Sequence, residues 1–232
     1  LATITSGHQR RPSGGDTLQA QRAHPCTQPK THRPPRKAGH KEGGKICYTR
    51  KKADRCNPPC QSDGATALMA LGANITLESK GGQRTVDLAN FYTTDGIMPF
   101  AMESHELLKE IIIPVHGAQS AYQKLAYRSA IDYPIVCAGV FLKLSSKNEI
   151  EEARIVVGAM GRSPLLLAHA SSSLKGKKLN DTYAFKKAAD DSMDSSATFA
   201  VHNVGATLEY RCAMVSQMVF QALEQAAKYI KG

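Results

Sequence analysis

IVCAGVFLKLSSKNEIEEARIVVGAM, residues 135–160, reads as two strands joined by a short polar link. Residues 135–144 are apolar at nearly every position, with Gly139 among them, as in a largely buried strand. Residues 150–160 form a further strand, and the alternating AYQKLAYR of residues 121–128 supplies one before the pair. Three consecutive strands with short links predict an antiparallel meander.

Helical signals follow the meander. Ser163-Pro164 has the order of an N-cap and a first helical residue, which predicts a helix over 165–174 that runs to Gly176. Residues 181–192 predict a second helix. In the last, Leu208, Val215, Met218, Val219, Ala222, Leu223 and Ala226 recur at three- and four-residue steps. A meander followed by a helix cluster is an α+β layer arrangement.

Upstream, Ser62-Asp63 precedes the short apolar helix ATALMALGA, which Gly72 is placed to stop. Residues 74–78 and 84–88 alternate around the turn at 80–83, giving a β-hairpin. Residues 104–109 read as a turn or short helix leading into the apolar strand 111–113, which Pro114 ends.

The net charge of +10 is unevenly spread. Residues 1–64 hold 13 Lys and Arg against Asp16, Glu42, Asp54 and Asp63, a net +9, so the remainder is nearly neutral. In that segment the Leu, Ile, Val, Met and Phe residues are Leu1, Ile4, Leu18 and Ile46, and seven of the eleven prolines fall there. Such a stretch buries too little apolar surface to offset its ordering entropy, so residues 1–60 are expected to be irregular unless something ties them down. No run of about eighteen apolar residues predicts a membrane span. LATITSGHQRRPSGG has no initiator Met and lacks the order of a secretory leader, which suggests a cytoplasmic chain that is processed or partial.

The cysteines divide in the same way. Cys137 and Cys212 lie within a strand and a helix, where a thiol behaves as a small apolar group. Cys26, Cys47, Cys56 and Cys60 share the basic segment with His8, His24, His32 and His40. Four thiolates there could hold zinc or an iron–sulfur cluster, and nearby Lys and Arg would favour the thiolate form. Their spacing, 20, 8 and 3 intervening residues, matches no recognised signature, so free thiols are the alternative.

An ordered set of motifs adds a resemblance. ALMALGANITLESKGGQRTVDLANFYTTDG (67–96), HELLKEIIIP (105–114), AYQKLAYRSAIDYPIVCAGV (121–140), IEEARIVVGAMGRSPLLLAHASSSLKGKKL (150–179) and LEYRCAM (208–214) resemble the flavoprotein subunits of molybdenum hydroxylases. This is the xanthine dehydrogenase and carbon monoxide dehydrogenase family, and the likeness covers roughly residues 61–230. The 4-hydroxybenzoyl-CoA reductase type of medium subunit is the most similar; it carries a 4Fe–4S cluster on a four-Cys insertion, and GGKICYTRKKAD (43–54) resembles the end of that insertion.

The resemblance implies three regions: residues 1–60 as an irregular or degenerate flavin-domain segment, 61–102 as the end of an FAD-binding α+β domain, and 103–232 as a C-terminal domain of a three-stranded antiparallel sheet packed with a helix cluster. It further implies FAD as cofactor, with electrons relayed between the 2Fe–2S centres of a small subunit and an external donor or acceptor. Substrate turnover would belong to a large molybdopterin subunit. Asp63 corresponds to the family's contact with the ribityl or pyrophosphate region, although Ser62-Asp63 also serves as a helix cap; Asp54 is the rival for that match. Leu108 falls where the family places an apolar residue against the isoalloxazine ring, and would otherwise be core. Lys124 matches a lysine near the ring, where its charge would stabilise the reduced, anionic flavin. Arg128 and Asp132 complete that motif. The family's glycine-rich pyrophosphate cradle is not legible in residues 1–60, which argues for weak FAD binding by the chain alone.

Two other functions compete. The basic segment could grip nucleic acid or an acidic partner, although the scarcity of aromatics counts against specific nucleic-acid recognition. Alternatively, the four cysteines could staple a zinc adaptor.

Overall fold

The computed structural model describes residues 2–5, 38–93, 95–114, 117–203 and 205–229. They form two four-stranded antiparallel sheets. The first has the order β1 (Ala2–Thr5), β4 (Leu107–Ile113), β2 (Asn74–Ser79), β3 (Gly82–Asp87). The second has the order β5 (Gln119–Leu125), β6 (Val136–Leu144), β7 (Ile150–Gly158), β8 (Leu165–Leu166). Helix α1 (Asp63–Ala70) precedes the β2–β3 hairpin, and α2 (Leu88–Phe91) follows it. Helices α3 (Ala168–Ser173), α4 (Thr182–Ala197) and α5 (Leu208–Lys228) close the chain.

The apolar run of β6 has a direct cause, because both of its faces are covered. Val136, Ala138, Val140 and Leu142 share a core with Ile155 and Val157 of β7 and with Phe185, Ala188, Val219 and Leu223 of α4 and α5. The intervening residues of β6 and β7 face α1 instead. Side-chain alternation therefore assigns neighbouring residues of one strand to two different cores.

The α1 face is packed tightly at two glycines. A Cβ on Gly139 would come within 3.1 Å of the Thr66 carbonyl oxygen and of the Ala70 Cβ. On Gly158 it would come within 2.2 Å of Thr66 Oγ1 and 2.5 Å of Cys137 Sγ. Val156 joins Met69, Ala70, Ile75, Leu77, Leu88 and Phe91 in the second core, so α1 is a shared layer between the sheets.

Arg211 ties one end of the second sheet together. Its side chain, on α5, is 1% exposed. Nε donates to the Ile135 carbonyl at 3.2 Å, Nη1 to that of Val201 and Nη2 to that of Ala159. One guanidinium thus joins the residue before β6, the residue after β7 and the approach to α5. Its three acceptors are carbonyl oxygens, so burial pulls its pKa below the ordinary arginine value.

Several sequence expectations are corrected. The helix predicted over 165–174 begins only at Ala168, because Leu165 and Leu166 pair with Val157 and Val156 as β8. The open edge of β7 offers unpaired backbone groups there, and pairing with them outweighs the Ser-Pro helix signal. The meander therefore has a fourth, two-residue strand beside the three expected. Of the alternatives for residues 104–109, the turn is found at Ser104 and His105, and β4 begins earlier than expected, at Leu107. Residues 1–60 are not irregular throughout: Ala2–Thr5 is a strand that pairs with Glu110–Ile113 of β4. Strand β4 is hydrogen-bonded into the first sheet between β1 and β2. The second helix runs longer than 181–192, with Asp181 as its cap accepting from Ala184 N at 2.9 Å.

Arg211→Ala would leave three buried carbonyls without a donor and open a cavity. The expected cost is about 3–5 kcal/mol of unfolding free energy, read as a lower urea midpoint at unchanged slope. A wild-type midpoint would contradict the anchoring role.

Candidate functional site

The start of α1 separates two roles that the sequence left overlapping. Ser62 is the cap: it is buried, and its Oγ accepts from Ala65 N at 3.1 Å. The Asp63 carboxylate, in the first turn, turns towards β5. Tyr122 Oη donates to its Oδ1 at 2.7 Å, and Lys124 Nζ donates to its Oδ2 at 2.6 Å. Tyr122 and Lys124 are two residues apart on a strand and so project from the same face. A carboxylate in a first helical turn is also favoured by the helix dipole.

Lys124 is held from a second direction. Its ammonium donates to the Asp132 carbonyl oxygen at 2.6 Å. The Asp132 side chain in turn shapes that loop, accepting from Tyr133 N at 2.8 Å and pairing with Arg128 Nε at 3.3 Å. The hydrogen bond from Arg128 holds the Asp132 carboxyl below the usual carboxylate range. The Lys124 and Asp63 side chains keep 25% and 36% exposure, so the pair stands at the rim where an outside molecule can reach it.

The floor beneath is uncharged. Cys137 is fully buried, its Sγ donates to Thr66 Oγ1 at 3.6 Å, and burial pushes its thiol up to about 11. Burial also pushes the Tyr122 phenol upward, with Cys137 and Asp63 adding to the effect, so it stays a proton donor. Tyr122 was not singled out in the sequence, yet its two-residue spacing from Lys124 carried the signal.

Leu108 lies elsewhere. It faces Leu77 across the β2–β4 ladder and packs on the first sheet's apolar cluster, outside the Asp63–Lys124 network. Asp54 is exposed and paired with Arg55 at 3.2 Å. The segment leading into β4 is fixed by Glu106, whose carboxylate takes both prongs of Arg84, at 2.6 and 2.8 Å, and Glu103 N at 2.8 Å.

Of the four candidate metal ligands, Cys26 lies outside the described residues, as do His8, His24 and His32. Cys56 and Cys60 are buried. Cys47 is half-buried, with Sγ 3.2 Å from Thr49 Oγ1. Burial raises its pKa, but hydrogen bonds from Thr49 and nearby backbone amides outweigh it and leave the thiol below its ordinary value. Among the described residues, no group of three or more His, Cys, Asp and Glu side chains is placed to hold a metal ion.

The Arg84 hydrogen bond pulls the Glu106 carboxyl down to about 2. A depressed folded pKa contributes stability above the unfolded value, about 4.3 for glutamate, and that contribution is lost as pH falls towards 2. Thermal unfolding followed from pH 6 down to about pH 2 should show this acid-dependent loss. Glu106→Gln should lower stability at neutral pH and flatten the acid limb; an identical profile in the variant would refute the assignment.

Comparisons with known proteins agree with this architecture. Residues 42–116 match the family model of the FAD binding domain in molybdopterin dehydrogenase, and residues 120–226 that of the CO dehydrogenase flavoprotein C-terminal domain. The chain is 32% identical over 123 residues to the glyceraldehyde dehydrogenase medium chain of Sulfolobus acidocaldarius, covering 52% of this chain and 42% of that one. It is 32% identical over 120 residues to the nicotinate dehydrogenase FAD-subunit of Eubacterium barkeri, covering 50% and 40%. The chain thus spans about two fifths of the length of these relatives. Among solved structures it resembles the cyanide-inactivated Cu,Mo-CO dehydrogenase, with a TM-score of 0.63 and 30% identity over 72% of this chain and 57% of that one. The carbon monoxide dehydrogenase of Hydrogenophaga pseudoflava gives a TM-score of 0.63 at 25% identity, over 73% and 57%. Residues 42–116 and 120–226 are thus similar, in this order, to the FAD binding domain of molybdopterin dehydrogenase and to the CO dehydrogenase flavoprotein C-terminal domain.

Proposed function

We propose that this chain is the FAD-carrying electron-transfer subunit of a molybdenum hydroxylase-type dehydrogenase. The observation that carries the reading is the Asp63–Lys124 pair at the rim between α1 and β5. The donor set fits the flavin's sugar-like chain and ring. Asp63 is an acceptor for ribityl hydroxyls, and Lys124 is a cation for the ring's polar edge. Bound FAD would supply the chemistry of taking up electrons and passing them on. The chain's own part is to hold Lys124 at a set position, through Asp63 and the Asp132 carbonyl, so that its charge favours the reduced form. Tyr122 keeps the Asp63 carboxylate turned towards Lys124. Leu108 would contribute an apolar contact from the first sheet.

The partners proposed are a small 2Fe–2S subunit and a large molybdopterin subunit, which would hold the substrate site. No helix among the described residues is long and apolar enough to cross a membrane, and a cytoplasmic complex is the setting we propose. Within the family, residues 43–54 favour the 4-hydroxybenzoyl-CoA reductase type; a cluster on Cys26, Cys47, Cys56 and Cys60 would require Cys47, Cys56 and Cys60 to converge, which they do not do here.

The purified chain should be yellow, release FAD on acid extraction and co-purify with iron–sulfur and molybdenum subunits. Colourless protein that takes up no FAD would overturn the assignment. Lys124→Met should lower the potential of the bound flavin by roughly 30–60 mV, taking about 30 mV per tenfold shift of a two-electron equilibrium. Asp63→Asn should mainly weaken FAD retention, by about tenfold for one charged hydrogen bond lost. An unshifted potential in Lys124→Met would remove Lys124 from the site. Iron and zinc analysis of the same protein tests the cysteine set: iron supports a cluster, and neither metal refutes it.

A further inference from the structure

The loop at 49–57 is closed at its neck and faces a second basic loop. Buried Thr49 donates its hydroxyl to the Asn57 carbonyl, and Asn57 Nδ2 donates to the Arg55 carbonyl at 2.8 Å. Between these residues the chain carries Arg50, Lys51, Lys52 and Arg55, and it reverses at Lys52, whose φ is 57°.

Backbone hydrogen bonds fasten this neck to the C-terminal unit. His202 N donates to Thr49 O at 2.8 Å, Cys60 N to Gly161 O at 2.8 Å, and Ala159 N to Cys60 O at 3.1 Å. Arg162 is thereby set against a loop more than a hundred residues earlier in the chain. The two walls enclose a cleft of about 420 Å³, lined by Arg50, Lys51, Lys52, Asp54, Arg55 and Arg162 among others.

Five cations line this cleft against one carboxylate, that of Asp54, which already accepts from Arg55 Nε at 3.2 Å and Nη2 at 3.4 Å. Concave placement of like charges focuses their field and raises the local concentration of anions. The cleft's two walls are joined by main-chain bonds. Arginine forks match phosphate oxygens in pairs, and lysines add point charge. Small-molecule sites commonly fall between about 300 and 1,000 Å³, which a diphosphate with an attached sugar suits. None of the lining side chains is aromatic, so the cleft lacks the stacking platform that single-stranded nucleic acid uses.

We infer that the cleft between Arg50–Arg55 and Arg162 binds the di- or polyphosphate group of a small molecule. The site is separate from the Asp63–Lys124 cluster and shares no lining residue with it. Isothermal titration of the full chain with inorganic pyrophosphate should show a single saturable site, with orthophosphate binding more weakly and both weakening as salt rises. Arg162→Gln and, separately, Arg50→Gln should each weaken pyrophosphate binding about tenfold, as expected for loss of one charge-assisted contact. Arg162 is the sharper probe, because it lies outside the Lys/Arg-rich residues 1–64 that would attract any polyanion. Wild-type affinity in both variants would overturn the site. So would a short oligonucleotide that binds while pyrophosphate does not, since that assigns the charge to a nucleic acid. Loss of pyrophosphate binding on saturation with FAD would also overturn it, by giving the cleft to the flavin; unchanged binding with FAD present supports a separate site.

Discussion

Helix α1 lies so near strands β6 and β7 that Gly158 has no room for a Cβ and Gly139 only a tight fit for one, and that close approach organises the rest of the molecule. It makes α1 a layer common to both cores: Met69 and Ala70 pack with the first sheet, while Thr66 meets Gly158 and Cys137 of the second. Dispersion and burial both reward such proximity, and both fall away quickly if one methyl group is inserted. The second sheet is consequently covered on two faces, by α1 on one and by α4 and α5 on the other. This is why β6 carries almost no polar residue.

The same approach sets the geometry of the candidate flavin site. Because α1 sits on the sheet, the first turn of the helix projects over β5, and Asp63 reaches both Tyr122 and Lys124. A carboxylate shared between a phenol and an ammonium is bound in one orientation, so the lysine is placed before any ligand arrives. Preorganised charge of this kind costs little reorganisation when a cofactor's charge changes. Arg211 secures that same end of the sheet, holding the residue before β6 and the residue after β7 next to Cys137 and Gly158.

Charge is divided as unevenly in space as along the chain. The Asp63–Lys124 pair balances itself, whereas the cleft beside Arg162 gathers five cations against one engaged carboxylate. Main-chain hydrogen bonds at Thr49 and Cys60 hold that arrangement, independent of side-chain attraction. Residues 38–60 are therefore tied to the C-terminal unit despite their few apolar residues, because backbone pairing supplies what burial does not.

By itself, the sequence determined the elements whose periodicity is set by burial. These were the continuous apolar run of β6, the β2–β3 hairpin and the three- and four-residue recurrence along α5. It also held the resemblance that pointed to Asp63 and Lys124. Tertiary structure alone decided three further matters. It turned Leu165 and Leu166 into a strand, because the edge of β7 had backbone groups to satisfy. It assigned the cap to Ser62 and left Asp63 for Lys124, a choice that depends on which way β5 passes the helix. It also brought Arg162 to the Arg50–Arg55 loop across more than a hundred residues. Local pattern records which face of an element is buried. It holds no record of which distant backbone or charge that face will meet, since such contacts follow from how the layers stack.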